Sequence, residues 1–259
     1  MASDRPVALL TFAADYVGPP LARRLAREGF DLVLHLPSPG QQTMADGAVG
    51  DPHLDELAEL GAGVEVVRDA DLATAEGNQA VVQAALDRFG RLDAACFVTG
   101  SIVVGRFLGT TVEQWERVKR ANLDMVFHAL QAALAPMAAA GRGQVVVFTS
   151  ATGARPEPKV SIYSATRAGA NALVRAVGLE YAASGVTVNA IGTNYMDFPG
   201  FRKASGADDP ERRAHIEAQV PMKRLGTMEE LAEFTAVLLD GRSRFQTGQF
   251  FSFSGGWSP

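Results

Sequence analysis

Two hydrophobic periods alternate along almost the whole chain. Val7 to Phe12, Asp31 to His35, Val64 to Val67, Ala94 to Val98, Gln144 to Thr149, Val186 to Ile191 and Gln249 to Phe253 are short, largely apolar runs. Runs of this length and composition predict strands buried on both faces. Between them, Pro20 to Glu28, Pro52 to Leu60, Gly77 to Phe89, Val112 to Ala139, Ser161 to Ser184 and Thr227 to Leu239 carry apolar positions at helical spacing. Strand and helix in alternation imply right-handed crossovers, because each buried strand needs helices above and below it. The predicted fold class is α/β: a doubly wound, Rossmann-like parallel seven-stranded sheet with helices on both faces, spanning residues 1–259 as one domain. Two loops, Pro37 to Gly50 and Asp197 to Pro210, are rich in Gly, Pro and small polar residues. The second lies beyond the carboxyl edge of the sheet, where folds of this class bind ligands.

Composition narrows the partners. The 259 residues are 47% hydrophobic and 20% charged, and the formal net charge of -5 comes without any long Lys/Arg run. Such a chain has no basic field for a phosphate backbone or an anionic bilayer, so neither nucleic acid nor membrane is an expected partner. Cys96 is the lone cysteine, inside an apolar run, which excludes an intrachain disulfide and suits a small core residue. The apolar run Val7 to Ala14 follows Asp4 and Arg5 and stops at Asp15, so it reads as a first strand and not an export signal. No apolar stretch approaches the ~20 residues of a membrane helix, and cytoplasmic residence is the expectation. His35, His53, His128 and His215 are scattered without ligand spacing, so no metal is expected.

The chemistry gathers around Ser150, which closes a predicted strand. Twelve residues separate it from Tyr163, near the start of a helix, and Arg167 follows one helical turn later. Phe148 and Thr152 stand where a hydrolase nucleophile turn would have glycines, which argues against an acylated serine. A free phenol, with a pKa of about 10, is a poor base near neutrality. A fixed cation ~4 Å away at an effective dielectric of ~20 stabilises a phenolate by ~4 kcal/mol before desolvation opposes it. Tyr163 is therefore the candidate base, Arg167 its charge partner, and Ser150 a hydrogen-bond donor to a substrate oxygen. A dinucleotide requires a glycine-rich first turn and an acidic residue after the second strand. Here Asp15, Tyr16 and the Pro19-Pro20 pair fill the first turn around Gly18, and the second strand ends His35-Leu36-Pro37. No cofactor is expected.

Ser150, Tyr163 and a cation at 167, with Asn122 in the long helix and the tail Gly226 to Gly256, resemble the short-chain dehydrogenase/reductase superfamily, which has Lys in place of Arg167. Two patterns are more specific: Thr-x4-Tyr-x-Gly at 11–18 and Ser-x12-Tyr-x3-Arg at 150–167. Together with residues 190–195 and 248–256 they are similar to the halohydrin dehalogenases, a family of carbon–halide lyases. The resemblance covers nearly the whole chain. It implies reversible, cofactor-independent conversion of vicinal halohydrins to epoxides plus halide, with halide, azide, cyanide or nitrite opening the epoxide in reverse. It implies Ser150, Tyr163 and Arg167 as catalytic residues, and a halide or nucleophile site from Thr193, Asn194, Tyr195, Met196 and Tyr16. It also implies a substrate pocket including Thr11, Thr152, Val160, Phe198 and Trp257. Self-association as a homotetramer through the two long helices is a further implication, with Trp257 near a neighbouring subunit's pocket. The chain departs from several relatives in having Thr193 in place of Pro, and no acid near Thr99. The competing readings are an NAD(P)-dependent short-chain oxidoreductase with a degenerate cofactor loop, or a non-catalytic ligand-binding relative.

Overall fold

The computed structural model describes residues 4–37 and 52–258, so the expected loop Pro37 to Gly50 lies, beyond Pro37, outside the described residues. The strands are β1 (Val7–Leu10), β2 (Asp31–His35), β3 (Val64–Val67), β4 (Ala94–Phe97), β5 (Gly143–Ser150), β6 (Val186–Thr193) and β7 (Phe250–Phe253). All pair in parallel, in the order β3-β2-β1-β4-β5-β6-β7. This is the predicted doubly wound sheet, and its order reverses between β1 and β4, which opens a crevice at the carboxyl ends of the strands.

The helices are α1 (Gly18–Arg27), α2 (Leu54–Glu59), α3 (Ala75–Phe89), α4 (Val112–Lys119), α5 (Met125–Ala139), α6 (Ser161–Tyr181), α7 (Pro199–Ser205), α8 (Pro210–Gln219) and α9 (Met228–Leu239). Successive strand residues point to opposite faces, so Leu10 and Leu34 join Leu21, Leu25, Leu231 and Leu239 under α1 and α9. Leu9 and Val33 join Val81, Leu130, Met137 and Val174 under α3, α5 and α6. Both faces are covered, which is why the strands read as unbroken apolar runs. Thr111 with Gln114, and Thr227 with Glu230, form reciprocal capping boxes that start α4 and α9.

Three differences from the sequence reading bear on the site. The first strand stops at Leu10, short of Phe12, because Phe12 turns into the left-handed region at φ +51°. The helix expected from Val112 to Ala139 is interrupted by a π turn, Arg120–Asp124. There the Asn122 side chain accepts from the Ser101 N–H (3.2 Å) and donates to the Ser101 carbonyl (2.8 Å), a tie to the β4 loop that helical spacing cannot reveal. The expected loop Asp197 to Pro210 contains α7, started by Pro199 and stopped by Gly206 at φ +73°.

Two contacts set the site's framework. Gly178 lies against the sheet so closely that a Cβ would stand 2.6 Å from the Gly248 nitrogen and 2.7 Å from the Val188 carbonyl oxygen. His35, fully buried, accepts the Phe12 N–H at Nδ1 (3.4 Å), which leaves Nε2 to donate to the Ala70 carbonyl (3.2 Å). It ties the end of β2 to the first turn and to the loop after β3. Burial holds this imidazole neutral and lowers its pKa to about 4, against an opposing contribution from the Ala70 bond.

Gly178→Ala is expected to destabilise the fold by ~2 kcal/mol or more, because backbone on both sides has nowhere to move; the midpoint of urea unfolding measures it. Because the unfolded chain protonates His35 near 6.5 and the fold resists this down to about 4, its contribution is complete above pH 6.5 and is lost as the pH falls toward 4. Unfolding free energies at pH 7 and pH 4.5 should show that loss, and His35→Gln, which has no proton to take up, should show less of it.

Candidate active site

Ser150 ends β5 directly beside Thr193 at the end of β6. Its Oγ accepts from the Thr152 N–H (3.2 Å) and the Thr152 hydroxyl (3.0 Å). Its own proton reaches only a distant acceptor, the Thr193 carbonyl at 3.4 Å, and can turn to a substrate oxygen. The chain then makes a 3-10 turn, Ala151–Gly153, that lies on α6. Gly153 is what lets it do so, since a Cβ there would stand 2.8 Å from the Arg167 backbone carbonyl carbon and 2.6 Å from the Asn171 side chain. Tyr163 and Arg167 are on α6 one turn apart, with the guanidinium carbon 5.2 Å from the Tyr163 ring centroid.

Arg167 is only 1% exposed. It donates to the Thr99 hydroxyl (2.8 Å), the Thr99 carbonyl (2.5 Å) and the Phe148 carbonyl (3.4 Å). None of these acceptors is a carboxylate, so the cation is solvated by neutral oxygens.

Tyr16 fills the space next to the triad. Its hydroxyl donates to the Thr193 hydroxyl (2.7 Å), and its ring stands edge-on to Phe148 and Phe198 at 5.7 and 5.0 Å. Burial pushes its phenol well above the ordinary value, so Tyr16 is a neutral donor and not a competing base. In the segment beyond β6, Asn194 accepts the Tyr195 N–H (3.1 Å), and its own Nδ2 is buried without an acceptor. Tyr195, left-handed at φ +55°, donates to Gln219 (3.1 Å), and buried Met196 bridges to Gly226.

Two expected pocket residues make contacts within the fold. The Thr11 hydroxyl accepts the Val98 N–H (2.9 Å) and donates to the Val98 carbonyl (3.3 Å), so it ties the end of β1 to the end of β4. Trp257, 5% exposed, packs edge-on to Tyr195 (5.9 Å) beneath the Arg155 guanidinium (4.6 Å), which also donates to its carbonyl. It is turned inward onto its own chain. Thr152 is tied to Ser150, Phe198 touches Tyr16, and buried Val160 leads into α6. The sequence reading assigned no role to Arg155 or Gly100 and none in holding Arg167 to Thr99, because only contacts between distant segments bring them here.

The residues of the first turn do not fit a dinucleotide. Gly18 is packed on Ala13, where a Cβ would stand 2.5 Å from the Ala13 carbonyl oxygen, so this glycine serves the turn and not a phosphate. Asp15 accepts the Tyr16 N–H (2.7 Å), one of the donors an anion would need. Pro19 and Pro20 remove two more donors from the start of α1, and His35 stands where a ribose-binding acid would be. Among the described residues no group of three or more His, Cys, Asp or Glu could hold a metal ion, and no helix is long and apolar enough to cross a membrane.

The family model described as enoyl-(acyl carrier protein) reductase matches residues 13–258. D-beta-hydroxybutyrate dehydrogenase of Rhizobium meliloti (strain 1021) is 30% identical over 97% of this chain and 98% of its own length. Cyclohexanol dehydrogenase of an Acinetobacter species (strain SE19) is 30% identical over 98% of this chain and 96% of its own. A solved short-chain dehydrogenase/reductase from Burkholderia xenovorans superposes with a TM-score of 0.84 at 24% identity, over 97% of this chain and 96% of that one. These relatives are named dehydrogenases and reductases. The expected placement among halohydrin dehalogenases, and with it the lyase class, is corrected accordingly: similarity ranks the chain with oxidoreductases. The chain belongs to the enoyl-(acyl carrier protein) reductase family, within the short-chain dehydrogenase/reductase superfamily.

Proposed function

We propose that this chain acts at the oxygen of a carbon-bound hydroxyl or of its carbonyl counterpart, the reaction class that the names of its relatives support. Tyr163 moves the proton, Ser150 hydrogen-bonds the oxygen, and Arg167 holds a fixed positive charge beside the Tyr163 ring. The observation that carries the reading is Arg167 itself, a buried cation without a carboxylate, held 5.2 Å from the Tyr163 ring.

An oxidoreductase must also pass a hydride to an acceptor, and the residues of the first turn do not fit a nicotinamide dinucleotide. The ring of Tyr16, fixed on Thr193, favours a second reading. In it the electron pair leaves with an anion from the neighbouring carbon. Tyr163 takes the hydroxyl proton of a vicinal halohydrin, the alkoxide oxygen bonds to the adjacent carbon, and the carbon–halogen bond breaks to leave an epoxide and a halide. The Asn194 Nδ2, buried without an acceptor, is a donor open to such an anion.

One assay separates the readings. The purified chain is given a short vicinal bromohydrin, or a secondary alcohol, each with and without NAD(P), and bromide and NAD(P)H are followed. NAD(P)H formation from the alcohol without bromide release supports the first reading, and bromide release that is indifferent to the nucleotide supports the second. In either case Tyr163→Phe should lower the rate by ~10²-fold or more, since one group supplies the proton transfer.

We also infer that the chain self-associates. Phe107, Leu108, Val112, Trp115, Ile162 and Ala165 line a groove of about 560 Å³ between the start of α4 and the start of α6. Leu108 is 97% and Val112 72% exposed, an unusual cost for a solvated surface. A second copy presents the same patch, so a two-fold pairing covers both at once. Sedimentation at micromolar concentration should give a species larger than the monomer, with a tetramer as the expected limit, and Leu108→Lys should shift it toward the monomer.

A further inference from the structure

We propose that Thr99 is the positioning residue of the site, with Gly100 making the room: it holds Arg167 at Tyr163 by neutral oxygens and so leaves the full cationic charge available to the reaction. The proposal rests on the triad reading above.

A buried guanidinium demands acceptors for its N–H groups. Taking it out of water without an anion is costly, and proteins usually answer with a carboxylate. Here three neutral contacts replace it, and Thr99 makes two of them, through its carbonyl and its hydroxyl. The Thr99 hydroxyl gives its proton to the Phe148 carbonyl (3.1 Å), so its lone pairs are turned to Arg167. Thr99 thereby links the ends of β4 and β5 to α6. Gly100, at φ +146°, completes the receptacle, since any Cβ at that position would run into the guanidinium. The third nitrogen, Nε, is buried with no partner. A carboxylate in place of the Thr99 hydroxyl would hold Arg167 equally firmly, but it would cancel the charge. A hydroxyl fixes the direction of the group and leaves its field intact.

Thr99→Val keeps the β-branched shape and the carbonyl contact and removes only the hydroxyl. Thr99→Ser restores it. Two readouts are needed, one of which is independent of turnover. Exchange of the Arg167 guanidinium protons with water, followed by nitrogen-15 NMR, should be ~10-fold faster in Thr99→Val than in wild type or Thr99→Ser, as expected for one lost hydrogen bond to a charged group. With a short vicinal bromohydrin or a secondary alcohol, whichever the wild type turns over, kcat should fall ~10-fold or more in Thr99→Val with KM within about twofold. Thr99→Ser should return it to within about threefold of wild type. Unchanged guanidinium exchange in Thr99→Val, or wild-type kcat in it, overturns the proposal. A Thr99→Ser variant no better than Thr99→Val in kcat also overturns it, because the hydroxyl would then not be the operative group. If exchange responds as described while Tyr163→Phe retains activity, the positioning of Arg167 stands and the triad reading fails.

Discussion

The rest of the site depends on one buried charge. Arg167 is the largest fully buried side chain among the described residues, shielded from bulk water. Its carbonyl and hydroxyl partners come from the ends of β4 and β5, two neighbouring strands, while the side chain itself descends from α6. The three elements must therefore meet in one register, or a guanidinium is left without acceptors in the interior, at a cost of several kcal/mol. Gly153 and Gly178 are the places where α6 is allowed close enough for this to happen. Stability and chemistry draw here on the same contacts.

The wall opposite carries backbone strain. Phe12, Tyr16 and Tyr195 all adopt left-handed backbone, at φ +51°, +52° and +55°, a conformation unfavourable for bulky side chains. Each costs on the order of 1–3 kcal/mol and persists only where the surroundings insist on it. The surroundings are identifiable: His35 holds Phe12, Asp15 and Thr193 hold Tyr16, and Asn194 and Gln219 hold Tyr195. The first turn is thus converted from a cradle of N–H groups for an anion into an aromatic wall with its donors already engaged.

This conversion explains how membership of a family of dehydrogenases and reductases coexists with a turn that does not admit their usual cofactor. In the proposed reaction the proton at the substrate oxygen falls to residues of β5 and α6. The fate of the electron pair falls to the far side of the crevice, at β1 and its turn. These two halves of the site are carried by different parts of the sheet, so one can change while the other stays.

The sheet, its direction and most element boundaries were legible because strand burial and helix amphipathicity are local, periodic properties of the chain. The pairing of Tyr163 with Arg167 was legible for the same reason, being one helical turn, and so was the misfit of Asp15, Tyr16 and His35 to a dinucleotide. What was not legible depends on residues far apart in sequence. Asn122 opens a π turn only because Ser101 arrives beside it. Thr11 is consumed by Val98, and Trp257 is turned inward by Arg155 and Tyr195. Thr99 looked like a missing acid until the fold put its hydroxyl against Arg167, 68 residues away. The sequence by itself determined which groups are present and which lie on a common strand or helix, since that follows from backbone geometry. Only the tertiary structure decided which oxygen receives a buried cation, because that depends on the cost of leaving it without one.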